Sequence, residues 1–164
     1  SGSAHDRWHW ALTLIIALEA LSIILFRLPA HFPAWNFYDC LVPIPALVTP
    51  AIEAAGLAIA IAGLIWAVMA QIEMGRNWRV GNDAQGPTEL VQTGLFARSR
   101  NPIYVGFIAI STGLFLAMPN AVTLLAAILA PLVLSRIVRL EEDFQRARHG
   151  QAFDDYAAKV RRWL

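Results

Sequence analysis

The chain has 164 residues, of which 57% are hydrophobic and 15% charged, and its formal net charge is +1. A soluble domain carries about 25% charged residues, so this composition is typical of a membrane protein with a single domain spanning 1–164. The small net charge gives no support for a nucleic-acid partner. The single cysteine excludes an internal disulfide and a thiolate metal cluster, and the scattered histidines lack ligand spacing, so we predict no metal site.

Three long stretches of the sequence are nearly free of ionisable residues. Residues 10–26 contain only Glu19, whereas 54–72 and 103–135 contain none. Roughly 20 apolar residues are needed for a helix to cross the hydrocarbon core. The first two stretches therefore predict one crossing each, and the third is too long for a single crossing.

The third stretch is interrupted near its middle by Met118-Pro119-Asn120, which is turn chemistry. We therefore predict an all-α, polytopic helical membrane protein with four membrane-spanning helices, a helical hairpin over about 102–138 and a cytoplasmic C-terminal helical segment. The predicted spans are about 10–27, 53–73, 102–117 and 121–138.

The basic residues indicate the orientation of these spans. With a cytoplasmic N-terminus, the inner segments are 1–9, 73–101 and 136–164, and of the 13 Lys and Arg residues only Arg27 lies outside them. Because Lys and Arg concentrate in cytoplasmic loops, both termini are predicted to face the cytoplasm. The membrane would be the cell inner membrane, or the endoplasmic reticulum in a eukaryote. The connecting segment 27–53, rich in proline and aromatic residues, is predicted to be irregular and to rest in the outer interface.

Polar residues converge at the predicted inner face. On local grounds alone, Asn101 is a helix N-cap and Pro102 the first helical residue. The acidic run that begins with Glu141 and Glu142 lies beside a leaflet that is itself negatively charged. It therefore predicts a cationic partner, either an arginine such as Arg100 or a cationic ligand.

Two features inside the spans have a structural and a functional interpretation. An ionisable residue such as Glu19 within a span is often functional, but we favour a structural role facing neighbouring helices. Small residues recur at helical spacing in the second and third spans, which favours close helix packing. The alternative for Gly106, Ala109 and Gly113 is that they leave room for an acyl or prenyl chain.

Four motifs occur in order along the second half of the chain. The run from Glu89 to Gly106 reads ELVQTGLFARSRNPIYVG, and the acidic pair and a Gly-x-x-Phe-x-x-Tyr tail from Gly150 to Tyr156 follow it. Together with Gly75-Arg76-Asn77-Trp78-Arg79 upstream, this pattern resembles the isoprenylcysteine carboxyl methyltransferases and their phospholipid-methylating relatives, over about residues 56–164. Asn101 stands where the eukaryotic prenylcysteine enzymes have histidine.

The resemblance implies an S-adenosylmethionine-dependent methyltransferase acting at the cytoplasmic face on a lipophilic small molecule, a lipidated substrate or a membrane lipid. It places the cofactor-binding elements in 89–106 and 139–164. The implied cofactor-binding residues are Gly94, Leu95, Phe96, Asn101, Pro102, Tyr104, Glu141 and Glu142. The implied catalytic residues are Arg100, Tyr104 and Arg139.

Several acceptors and two other functions stay open at this stage. A carboxylate acceptor needs no general base, whereas an ammonium group must first lose a proton. Since no histidine neighbours Tyr104, we favour the carboxylate of a prenylcysteine or isoprenoid-like molecule over a phospholipid amine or a thiol. The alternatives are a membrane NADPH-dependent sterol-type reductase, whose hairpin has a similar Asn-Pro-x-Tyr sequence, and a non-catalytic membrane scaffold. The acidic pair and the tail motif favour the methyltransferase.

Overall fold

The computed structural model describes residues 2–27, 39, 41–75 and 89–164. Within these ranges the chain is helical, which confirms the all-α prediction. The helices are α1 (Gly2–Arg27), α2 (Pro50–Met74), α3 (Pro102–Ala117), α4 (Ala121–His149) and α5 (Gln151–Lys159). Short 3₁₀ turns occur at Pro45–Leu47 and Gly94–Ala97.

The helices differ in how far they reach across a bilayer. Helices α1, α2 and α4 are long and apolar enough to span it, and α3 is a shorter apolar helix. The 16 residues of α3 extend about 24 Å, less than the roughly 30 Å hydrocarbon core. The 29 residues of α4 extend about 43 Å, so its C-terminal turns project beyond the predicted span 121–138. The acidic pair thus lies on these projecting turns of one continuous helix.

The predicted turn between α3 and α4 is confirmed and is built around Asn120. Its side-chain oxygen accepts hydrogen bonds from the backbone N–H groups of Val122 and Thr123, both at 3.0 Å, and so caps α4. The Ile44 N–H donates to the Pro119 carbonyl at 2.9 Å, which joins the outer connecting segment to this turn. All four aromatic residues of that segment, Phe32, Trp35, Phe37 and Tyr38, lie outside the described residues.

Helices α2 and α3 pack through glycines that face each other. A Cβ on Gly63 would lie 2.8 Å from the Gly106 carbonyl oxygen and 2.8 Å from the Ala109 Cβ, and a Cβ on Gly113 would lie 2.6 Å from the Gly56 carbonyl oxygen. These distances leave no room for any side chain larger than hydrogen. The packing interpretation is therefore confirmed. The alternative of an acyl or prenyl channel at these residues is wrong, because the backbone of α2 fills the space.

Helix α4 lies between α1 and α3 and forms the second core. Its small and branched residues pack against Ile15 of α1, which is 4% exposed, and Leu134 and Ile137 at the centre are fully buried. The principal helix contacts give the packing order α2, α3, α4, α1. This order brings the inner end of α3 beside the projecting turns of α4, where the predicted site residues lie.

Candidate functional site

Glu142 is the centre of a buried polar cluster beside the N-terminal end of α3, on the C-terminal turns of α4. Its carboxylate accepts hydrogen bonds from the Arg100 Nε at 3.0 Å, the Asn101 Nδ2 at 3.1 Å and the Arg162 Nη2 at 2.7 Å. Burial alone raises the pKa of Glu142, but the hydrogen bonds from Arg162 and Arg100 outweigh burial and the pKa is lowered. The carboxylate is therefore held in its charged form. Arg100, predicted from the sequence as a possible partner of the acidic pair, is one of its two arginine partners.

Arg100 also fixes the C-terminal tail. Its Nη1 donates to the carbonyl oxygens of Ala157 at 2.9 Å and Val160 at 2.8 Å. Its backbone N–H donates to the Arg161 carbonyl at 2.9 Å. A single guanidinium thus joins α4, α5 and the residues that follow α5.

Further bonds join the same two segments. The Tyr156 hydroxyl donates to the Phe96 carbonyl at 2.6 Å, and the Ser99 hydroxyl donates to the Arg162 carbonyl at 3.3 Å. Burial raises the pKa of the Tyr156 phenol to about 12, with Arg100 acting in the opposite direction. We call the contacts between residues 96–101, Glu142 and residues 156–162 the C-terminal clamp.

Glu141 occupies a different environment from its neighbour. The Tyr104 hydroxyl donates to Glu141 Oε1 at 2.6 Å, and the carboxylate remains partly exposed. The Tyr104 ring meets the Phe107 ring edge to face, with centroids 6.2 Å apart. The two adjacent acids therefore have separate partners, with Glu142 in the clamp and Glu141 beside the first turn of α3.

The 3₁₀ turn Gly94–Ala97 is fixed to the inner end of α2. Gly94 has a φ of +60°, which favours glycine, and the Leu95 N–H donates to Glu73 Oε2 at 2.6 Å. The side chains of Leu95 and Phe96 are buried against Ala70. The Leu95 and Phe96 N–H groups both donate within the protein, so this turn shapes the site rather than offering those two groups to a ligand.

The structure brings together most of the residues predicted for the site. Asn101 begins α3 as predicted, but its side chain makes no capping bond and donates instead to Glu142. The Pro102 carbonyl accepts from Trp66 Nε1 at 3.0 Å. Arg139 is exposed and makes no hydrogen bond or ion pair with any other described residue, so it is not part of this cluster.

Three residues of the site were missed by the sequence interpretation, namely Glu73, Ser99 and Arg162. Glu73 is the first acidic residue after the apolar stretch of α2, and this position in the sequence could have identified it as a site residue. Ser99 and Arg162 lie within residues 56–164, over which the sequence resemblance extends, but no local pattern marks them. Their mutual contact joins residues 63 positions apart. The motif residues Arg76 to Arg79 lie outside the described residues.

The fold and the buried polar cluster define a polytopic helical membrane protein with a candidate site where α3 begins and α4 ends. A family model described as phospholipid methyltransferase matches residues 52–152, which is more than half of the chain. The chain belongs to the phospholipid methyltransferase family, and the resemblance seen in the sequence is thereby confirmed.

Solved structures give an independent comparison of the fold. The chain is similar to a eukaryotic intramembrane Ras methyltransferase, an isoprenylcysteine carboxyl methyltransferase, with a TM-score of 0.66 and 22% identity. The similarity covers 88% of this chain and 50% of that protein, so this chain spans half of its length. At this identity the likeness shows the fold. No curated protein sequence matches the chain.

Proposed function

We propose that this membrane protein transfers a methyl group from S-adenosylmethionine to a lipophilic acceptor at the cytoplasmic membrane face. The observation that carries the proposal is the Tyr104–Glu141 pair, joined at 2.6 Å at the inner ends of α3 and α4. The membership of this chain in the phospholipid methyltransferase family supports methyl transfer as the reaction.

The residues around this pair fit the cofactor. S-adenosylmethionine is a sulfonium cation with an amino acid tail, and it supplies an electrophilic methyl group. A partly exposed carboxylate suits the positively charged amino group of that tail, and Glu141 is partly exposed whereas Glu142 is only 4% exposed. We therefore assign Glu141 to contact with the cofactor and Glu142 to the clamp that holds Asn101 and Arg100 in place.

The same geometry bears on the acceptor. Arg100, which with Arg139 was one of two candidates to pair with a carboxylate of the cofactor or the substrate, is engaged by Glu142 and by carbonyls of the tail. Among the described residues, the charged group that Tyr104 contacts is the Glu141 carboxylate and not an arginine or lysine. Glu141 would attract a lipid ammonium group and take the proton that the nitrogen must lose before its lone pair attacks the methyl carbon. We therefore propose an amine headgroup as the acceptor.

A carboxylate acceptor is the second candidate, and the observation that favours it is Arg139. Its guanidinium is exposed on α4 and makes no hydrogen bond or ion pair with the described residues. A carboxylate would attack the methyl carbon without losing a proton, so it needs only a cation to hold it. The prenylcysteine carboxylate favoured from the sequence thus stays a prediction.

The substitution Glu141→Gln tests the cofactor assignment. We expect S-adenosylhomocysteine affinity to fall at least about tenfold, because a charge-assisted hydrogen bond contributes about 1.5–3 kcal/mol. The fold should persist because the clamp is untouched. Calorimetry measures the affinity, and transfer of labelled methyl groups to phosphatidylethanolamine or to farnesylcysteine separates the two acceptors.

The control is Asp143→Asn, since Asp143 is exposed and pairs with Arg146 at 3.5 Å. Unchanged affinity, or binding of NADPH in place of S-adenosylhomocysteine, would refute the assignment.

The orientation of the site is also a proposal. Since Arg27 alone among the 13 basic residues lies outside the inner segments, we propose that both termini face the cytoplasm. A reporter fused after Leu164 should give a cytoplasmic signal, and one inserted within 33–45 should not. A cytoplasmic signal from the second reporter would contradict this topology.

A further inference from the structure

A cavity lies among α1, α3 and α4, inside the predicted membrane spans. Its volume is about 300 Å³, and its wall is almost entirely apolar. The polar residues that line it are Glu19 of α1 and Ser111 of α3. Residues that form the apolar wall include Leu12, Ile15, Ile23, Phe107, Ile110 and Leu134.

Glu19 lines this cavity, and one of its two carboxyl oxygens has a hydrogen-bond partner among the described residues. Its side chain is 8% exposed, and the Ser111 hydroxyl donates to its Oε1. No described residue donates a hydrogen bond to Oε2, although every fully buried side-chain oxygen or nitrogen of the described residues has a hydrogen-bond partner. Oε2 therefore retains some exposed surface, and the cavity lined by Glu19 supplies it. The structural partner predicted for Glu19 exists, but it satisfies only half of the carboxyl group.

The depth of Glu19 determines what it recognises. A charged carboxylate within the hydrocarbon core is costly, so the neutral acid is the form that suits this position. With Oε1 accepting from Ser111, the O–H at Oε2 is a donor directed to the cavity. The chemical group that fits it is an uncharged oxygen acceptor, such as a carbonyl.

The cavity and the proposed site of methyl transfer share a neighbour, Phe107. Phe107 lines the cavity, and its ring packs against the Tyr104 ring. Seven residues separate Tyr104 from Ser111, a distance of about 10 Å along α3. A lipid whose headgroup lies at Tyr104 and Glu141 would thus place atoms about 10 Å further along its length beside Glu19. This separation is comparable to that between the headgroup nitrogen and the ester carbonyls of a diacyl aminophospholipid.

We propose that Glu19 and Ser111 form a polar subsite that binds an ester carbonyl of the acceptor lipid, with the chains of that lipid in the cavity. The position of the headgroup rests on the proposed function, but binding of the carbonyl does not require methyl transfer. A prenyl chain would leave the donor at Glu19 unpaired, which is unfavourable in an apolar environment, and an ether oxygen is a weaker hydrogen-bond acceptor than an ester carbonyl. The subsite therefore selects ester-linked lipids over lipids that have only ether-linked or prenyl chains.

The experiment compares two lipids that differ only in these carbonyls, dioleoyl phosphatidylethanolamine and its di-O-octadecenyl ether analogue. The Kd of each is obtained by thermostability titration of the purified protein in detergent. We expect the diester to bind about fivefold more tightly than the diether, since one net hydrogen bond contributes that much. The preference should disappear in Glu19→Leu and Ser111→Ala, and Glu19→Gln should retain it because the amide is also a donor.

The matched control is Thr112→Val. Thr112 neighbours Ser111 but is exposed, and its hydroxyl donates within its own helix to the Ile108 carbonyl. This variant should keep the diester preference. Equal affinity of the wild-type protein for both lipids, binding of neither, or a preference that survives in Glu19→Leu would overturn the subsite. If S-adenosylhomocysteine fails to bind while the preference for the diester persists, the proposed function fails and the subsite stands.

Discussion

Replacing Glu142 with glutamine is expected to open the C-terminal clamp and to weaken S-adenosylhomocysteine binding at least about tenfold. The change leaves the Arg100 guanidinium, which is 12% exposed, without its counter-charge. Breaking a buried ion pair in this way costs about 3–5 kcal/mol. Arg162 is 39% exposed and contributes less, because water screens it. Affinity should fall because Arg100 and Asn101, which directly precede α3, lose the group that positions them.

Hydrogen exchange of residues 150–164 measures the opening directly, and calorimetry measures the affinity. The substitution Asp143→Asn is again the control, since it removes an acid from the same helix whose side chain is 73% exposed. Retained protection of the tail in Glu142→Gln would show that the clamp does not depend on this charge. Lost protection with unchanged affinity would separate the tail from the cofactor site.

The clamp also has an expected pH dependence. Because its pKa is lowered in the fold, Glu142 contributes stability above its ordinary pKa of 4.5 and loses that contribution as the pH falls below 4.5 through the folded value. Protection of residues 150–164 should therefore decline in acid for the wild-type protein. In Glu142→Gln the protection should be low throughout, with a smaller dependence on pH in this range. An equal decline in both proteins would assign the effect to other groups.

The second large effect is expected from Gly63→Leu, which should separate α2 from α3. A side chain at this position meets the Gly106 carbonyl and the Ala109 Cβ, and a backbone carbonyl cannot move aside as a flexible side chain can. Overpacking of this kind costs about 1–3 kcal/mol or more. Thermal unfolding in detergent should therefore begin at a lower temperature. S-adenosylhomocysteine binding should fall with it, because α2 carries Glu73 and Trp66, which hold the Gly94 turn and Pro102.

The control is Ala58→Leu, because Ala58 is exposed on the same helix. It adds three carbon atoms, against four in Gly63→Leu, to the exposed side of the helix and should leave both measurements unchanged. A normal unfolding temperature for Gly63→Leu would mean that α2 and α3 are further apart than these contacts require. A fall in lipid turnover without any loss of stability would instead restore the channel interpretation rejected above.

The sequence by itself determined the features that depend on local pattern. Apolar stretches of sufficient length predict helices in lipid wherever they occur, and Pro119-Asn120 stops one helix and caps the next. The small residues of α2 and α3 recur at helical spacing and so lie on one face of each helix, which favours packing against a neighbouring helix. The structure confirms this packing. The motif from Gly94 to Tyr104 and the acidic pair located the inner end of α3 and the projecting end of α4.

Only the tertiary structure decided how the residues of the site divide their roles. Successive residues of an α-helix point about 100° apart, so Glu141 turns to Tyr104 while Glu142 turns to Arg100 and Arg162. No sequence pattern records this difference, because each choice depends on which helix packs on which face. The clamp and the Glu19–Ser111 pair join residues 20 to 92 positions apart, and such contacts form only when the helices have assembled. Hydrophobic pattern and turn chemistry act within a few residues, whereas the site depends on the packing order of α2, α3, α4 and α1.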